Sequence, residues 1–354
     1  MKRTLPIFLA LIFSLARTRS AEPAMGVYRG VNETAKVEAF AAWLGRDMMW
    51  GEDFIGPESW SNVGWPVFWL EAWSKWVKAK PGRKFVFAVP MLAGPVDGSG
   101  PMQGDSEKGI PVSLEKGATG GYNHHFTQLA ENIVKFGLAD TVILRAGWEF
   151  NGDWYAWRAK GKAAEFAEFW RQMVKAMRAV PGAEKLQFCW NPTLGDQQFP
   201  AEQAWPGDAF VDFVGVDVYD ETWNADTYPF PPGASEEVMN ARRAKVWDEW
   251  LMGSKWGLAF WAKFAREHGK PLAIPEWGLV AAGHQHGGLD NVIFIERMHA
   301  FINDPANNVA WHCYFDVNPS GHSDQISPGT GAQPDKTEFP KASARFHELF
   351  GRKP

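Results

Sequence analysis

Apolar runs of strand length recur eight times along this chain of 354 residues, at 25–30, 48–54, 85–92, 141–149, 186–191, 213–219, 272–276 and 309–315. Segments with helical spacing separate them, at 34–44, 67–77, 126–136, 163–177, 250–268, 289–302 and 340–350. Only the fifth connection, around residues 200–208, is too short for a full helix. Alternating strands and helices build parallel sheets, because a parallel crossover needs about a dozen residues and a helix fills them. Eight such units in one chain predict a single-domain (β/α)8 TIM barrel, whose working face lies at the carboxyl ends of the strands. No linker and no sequence repeat interrupts the alternation, and with 45% hydrophobic residues the chain can fill the large core a barrel requires.

The ends of the strands therefore carry the functional signal. The fourth run gives way to Arg145-Ala146-Gly147-Trp148-Glu149-Phe150-Asn151-Gly152-Asp153-Trp154-Tyr155, and the seventh to Pro275-Glu276-Trp277-Gly278. In both, a glutamate among tryptophans stands where strand becomes loop. Two carboxyl groups at matching strand ends suit cleavage of an acetal, which needs one protonated and one ionised carboxyl on either side of the sugar. Each glutamate alone would be as well explained by pairing with an arginine or a backbone amide. Arg145 precedes Glu149 by four residues, so period-two alternation turns both toward the barrel interior. Its role is either to hold a catalytic carboxylate or to form a buried structural ion pair.

Composition narrows the partners. The net charge of −5 leaves no basic footprint for nucleic acid. The chain has 20 tryptophans against 6 tyrosines, more indole N–H groups than a core easily satisfies, so some are expected to line a sugar-binding groove. Lys2-Arg3 and the apolar run that follows have the form of a signal peptide over residues 1–21, with residues 22–354 as the mature catalytic domain. This predicts an exported protein, periplasmic or extracellular, monomeric and free of the membrane once cleaved. Cys189 and Cys313, the two cysteines, sit inside apolar runs and read as buried thiols. Two inserts fall on the working face: residues 93–122, rich in Gly, Pro and Ser, and residues 221–240, with Trp223, Tyr228 and Phe230.

The pattern Arg-x-x-x-Glu-x-Asn-Gly-x-Trp-Tyr-x-Trp around Glu149 resembles the acid/base motif of glycoside hydrolase family 26, which includes β-mannanases. Trp190-Asn191-Pro192, Val216-Asp217-Val218-Tyr219 and Ile274-Pro275-Glu276-Trp277-Gly278 are similar to that family's segments on strands five, six and seven. One departure concerns specificity: Trp148 stands where the family usually places histidine. The resemblance implies a retaining endo-acting hydrolase of β-mannan or a related β-glycan polysaccharide. Glu149 would be the general acid and then base, its proton held near neutrality by desolvation among Trp148, Trp154 and Trp190. Glu276 would be the nucleophile, with Tyr219 donating to it. The expected sugar contacts are Trp154, Trp157 and Trp277 as stacking platforms, Asn151 and Asn191 as hydroxyl partners, and Trp148, Trp190, Tyr219 and Trp311 around them.

No cofactor is expected. The histidines, among them His124, His125, His284, His286 and His322, lack the spacing of a helical zinc site, so no metal is expected either. Two other readings stay open: a carbohydrate-binding barrel without turnover, which has no need of two strand-end glutamates, and a metal-dependent polysaccharide deacetylase, whose activity a chelator would abolish.

Overall fold

A computed structural model describes residues 22–93, 112–224, 226–280, 285–318, 324–328 and 337–351. The predicted signal segment, most of the first insert, His284 and His322 lie outside these residues. The strands are β1 (Ala24–Tyr28), β2 (Trp50–Phe54), β3 (Lys84–Val89), β4 (Val142–Ala146), β5 (Gln187–Trp190), a sixth in two pieces (β6, Phe213–Gly215 and Val218–Tyr219), β7 (Leu272–Gly278) and β8 (Val309–Phe315). Every pairing is parallel, each strand bonds to its sequence neighbours, and β8 returns to β1, so the sheet closes as the (β/α)8 barrel the periodicity predicts.

Helices pack outside. Four of them, Thr34–Leu44, Val67–Lys78, Ala163–Arg178 and Pro340–Phe350, lie within a residue of the predicted spans. Others differ for local reasons. The single helix expected at 250–268 is broken: a π-helical stretch, Val246–Met252, stops at Gly253, and a new helix, Leu258–Glu267, starts after Gly257. At Gly253 and Gly257 an added Cβ would meet backbone carbonyl oxygens within 2.9 Å, so these close approaches admit only glycine. In the short fifth connection, two 3-10 turns, Ala201–Ala204 and Asp208–Phe210, replace the helix. Among the described residues no helix is long and apolar enough to cross a membrane.

Period-two alternation sorts each strand between two cores. On β4, Val142, Leu144 and Ala146 point out to the helices, while Ile143 and Arg145 point in. The lower interior is a small apolar plug of Val86, Ile143, Cys189, Ala273, Trp311 and Cys313, so both cysteines are buried free thiols. Above the plug the filling changes from apolar to charged: Glu52, Arg145 and Asp217 are all fully enclosed. That switch marks the floor of the working face.

Candidate active site

Glu149 is presented by strained backbone. β4 ends at Ala146, three residues earlier than the apolar run suggested, because Gly147 and Glu149 both take left-handed conformations, with φ of 49° and 52°. A side chain at Gly147 would meet the Met91 sulfur at 2.6 Å, so only glycine fits that turn. For a glutamate a positive φ costs of order 1 kcal/mol or more and persists only when its surroundings impose it. Here they do: the Glu149 amide donates to the Asn191 carbonyl at 2.7 Å, and the Glu149 carbonyl accepts from Gly152 at 3.0 Å. The Asn151 side chain clamps the β5 loop in turn, donating to the Thr193 carbonyl at 2.9 Å and accepting from its amide at 2.8 Å.

The carboxyl of Glu149 accepts from the indole of Trp154 at 2.9 Å. Its pKa is pushed up to about 7, chiefly by burial and next by the negative charge of Glu276; Arg145 and the hydrogen bonds of Trp154 and Thr193 offset part of this. A carboxylic acid held protonated to neutrality is a proton donor at the pH where a sugar oxygen needs one.

Glu276 is held differently. β7 slips in register against β8 between Ile274 and Trp277, where Pro275 has no amide to give to the ladder. The slip turns Glu276 into the barrel and Trp277 out of it. One Glu276 oxygen accepts from the Tyr219 hydroxyl at 2.7 Å and the other pairs with Arg145 at 2.6 Å, while its amide donates to Asp217 at 3.1 Å. Donors on both oxygens are what an attacking carboxylate requires. The phenol of Tyr219 is raised well above its ordinary range, first by burial and then by Glu276, so it remains a donor.

Arg145 ties the floor together. It reaches Glu52 at 3.1 Å and bonds Asp217 and the Asn191 side chain as well as Glu276. The pair with Glu276 and the enclosed pairs with Glu52 and Asp217 thus meet in one side chain. Burial drives the carboxyls of Glu52 and Asp217 well above the carboxylate range against the pull of Arg145. Glu52 was missed in the sequence; its signal was an acidic pair, Glu52-Asp53, inside a strand run, of which only one member can face inward. Asp53 faces the other way, accepting from the Trp73 indole at 2.7 Å.

Four of the expected sugar contacts, two of them stacking platforms, need correcting. Trp157 has no exposed surface and donates to the Trp148 carbonyl. Trp190 is enclosed outside the barrel against Trp205, Trp261 and Phe264. Trp277 packs under the last helix on Phe346 and Phe350 and donates to His312 at 3.0 Å, and burial pushes that imidazole down to about 3, which keeps it a neutral acceptor. Trp311 belongs to the plug, stacked on Trp50. Asn151 and Asn191 are likewise committed to backbone and to Arg145, which corrects their reading as hydroxyl partners. Trp148 walls the site from behind, donating to Tyr155 at 2.8 Å and lying edge-on to Phe54. Trp154, Tyr155 and Tyr219 stay partly accessible near the two glutamates. His125 stacks on Trp60, on the helix Asn123–Lys135. From the strand ends a groove of about 420 Å³ extends past Tyr28, Arg29, Phe315 and Asp316.

A family model described as glycosyl hydrolase family 26 matches residues 105–230, the stretch that contains the strand-four motif, Trp190-Asn191-Pro192 and Tyr219. Over that stretch the chain is similar to glycoside hydrolase family 26. Part of it is 32% identical, over 88 residues, to a mannan endo-1,4-beta-mannosidase of Bifidobacterium adolescentis; that match takes in 24% of this chain and 9% of the relative. Among solved structures, a Cellulomonas fimi endo-beta-1,4-mannanase double mutant superposes with a TM-score of 0.58 at 18% identity, over 93% of this chain and 71% of that one. The catalytic domain of a Bacillus sp. JAMB-750 GH26 endo-beta-1,4-mannanase also superposes at 0.58, with 16% identity over 94% and 86% of the two chains. At such identities the superpositions establish the fold.

Proposed function

We propose that this family 26-like barrel is a retaining, endo-acting glycoside hydrolase of a β-linked polysaccharide, β-mannan or a related β-glycan. The observation that carries the reading is the asymmetry of the glutamates: Glu149 is raised to about 7 by burial, whereas Glu276 has a donor on each oxygen. Glu149 protonates the leaving oxygen as Glu276 attacks the anomeric carbon, and the glycosidic C–O bond breaks as the glycosyl–Glu276 ester forms. Glu149, now a carboxylate, takes a proton from water, whose oxygen displaces Glu276 and releases the sugar with retained configuration. The mannanase names of the relatives favour mannan as the first substrate to try.

The test is reducing-end release over a panel of mannans, xylans, glucans and bacterial exopolysaccharides, with and without chelator. Release by the wild type, its loss in Glu276→Ala and its survival in chelator are expected. Loss on chelation would establish the metal-dependent reading, and binding without release the non-catalytic one. Export to the periplasm or medium belongs to the same proposal, supported by the basic-then-apolar amino terminus; N-terminal sequencing of the mature protein near residue 22 checks it. The mature enzyme is proposed to act as a monomer.

A further inference from the structure

Beyond the two glutamates, the loop leaving β6 carries an aromatic ring with no part in the chemistry above. Trp223 is 65% exposed, the most exposed of the large hydrophobic side chains among the described residues. It follows Tyr219, which touches Glu276, by four residues, so its backbone lies within about 14 Å of that tyrosine. Exposed indole surface that stays in water forgoes the gain of burial.

The ring is also fixed in place. Its face stacks on the His286 imidazole, with centroids 5.2 Å apart and planes 26° from parallel. His286 is cross-linked to the same loop: Thr222 donates its amide to the His286 carbonyl at 3.0 Å, and His286 Nδ1 lies 3.2 Å from the Thr222 carbonyl. A bridge between Glu221 and Gly287 ties the two loops once more. On the far side, Asn224 donates to Thr222 and Thr227 to Asn224. The loop thus backs one face of an indole while most of the residue stays in water on the working face of the barrel.

We infer that Trp223 is a stacking platform for a sugar ring of the β-glycan chain, at a subsite outside the pair that spans the cleaved bond. The inference rests on the hydrolase reading for its ligand class. A pyranose in a β-linked chain presents apolar C–H faces, and an indole with a fixed plane receives such a face with little loss of freedom on binding. His286 is then a positioning residue, acting through the plane of the indole.

The experiment compares wild type, Trp223→Ala, Trp223→Phe and His286→Ala on the polysaccharide the wild type degrades fastest and on a one-sugar aryl glycoside. Trp223→Ala is expected to raise KM for the polymer about five- to tenfold and to leave kcat/KM for the aryl glycoside within about twofold. Trp223→Phe should keep most of the polymer affinity, and His286→Ala should fall between. The same proteins run through gels containing the polymer report binding without turnover, with retardation lost in Trp223→Ala. Equal KM and equal retardation for wild type and Trp223→Ala would overturn the platform. A wild type that is retarded but releases no reducing ends would instead sink the hydrolase reading, and the gel would still decide the role of Trp223.

Discussion

At the scale of the residue, the proposed hydrolysis turns on the protonation of Glu149. Glycosylation needs the acid form, which predominates below a pKa of about 7 and is lost as pH rises through it. The basic limb of kcat/KM is therefore expected near pH 7, and Glu149→Gln, which cannot titrate, should remove that limb together with most turnover on poor leaving groups. Rate-against-pH profiles of the two proteins decide it; an unchanged limb in the mutant assigns it to another group. The two glutamates separate further with azide. In Glu149→Ala a good aryl leaving group still departs, and azide should release the accumulated glycosyl-enzyme as a glycosyl azide of retained configuration. In Glu276→Ala azide attacks from the vacated side and gives the inverted product. NMR of the products reads both, and the opposite configurations would mean that the roles are exchanged.

At the scale of the element, β7 shows how one irregularity divides adjacent residues between the candidate site and the outer core. Glu276 and Trp277 are neighbours in sequence, yet the register slip at Pro275 sends one into the barrel and the other under the last helix. Trp277→Ala should therefore cost stability, about 3–5 kcal/mol by denaturant unfolding, while KM of the folded fraction stays unchanged. A raised KM at wild-type stability would return Trp277 to the sugar. The β4 and β5 loops depend on each other in the same way through Asn151. Asn151→Ala removes the partners of the half-buried Thr193 amide and carbonyl, at about 1 kcal/mol, and is expected to lower kcat as the turn that holds Glu149 loosens. The strand ends were legible in the sequence because apolar runs stop at the barrel mouth. The slip and the left-handed turn were not, since both arise from contacts with strands distant in sequence.

At the scale of the whole molecule, one arginine gathers residues from four strands. Arg145 on β4 holds Glu52 of β2, Asp217 of the sixth strand and Glu276 of β7, all with little or no exposure. Removing the cation leaves buried carboxyls unpaired, so Arg145→Met should destabilise by about 3–5 kcal/mol and abolish activity. Glu52→Gln keeps an oxygen for Arg145 to bond and should cost about 1 kcal/mol or less. Thermal unfolding of the two variants checks the contrast, and equal losses would show Glu52 to be ionised in the fold.

The sequence by itself determined the barrel, the inward-facing Arg145 and the two strand-end glutamates. These follow from period-two and helical spacing and from local motifs, which depend on near neighbours alone. Only the tertiary structure decided which tryptophans can meet a sugar. Trp154 and Trp157 share one loop, Trp277 stands near the end of one barrel strand, and Trp223 follows another. The packing buries Trp157 and Trp277 among helices far away in the chain, binds Trp154 to the acid and leaves Trp223 in water. Whether an indole is core or platform depends on what the rest of the fold lays against it, and that is written in no single stretch of residues.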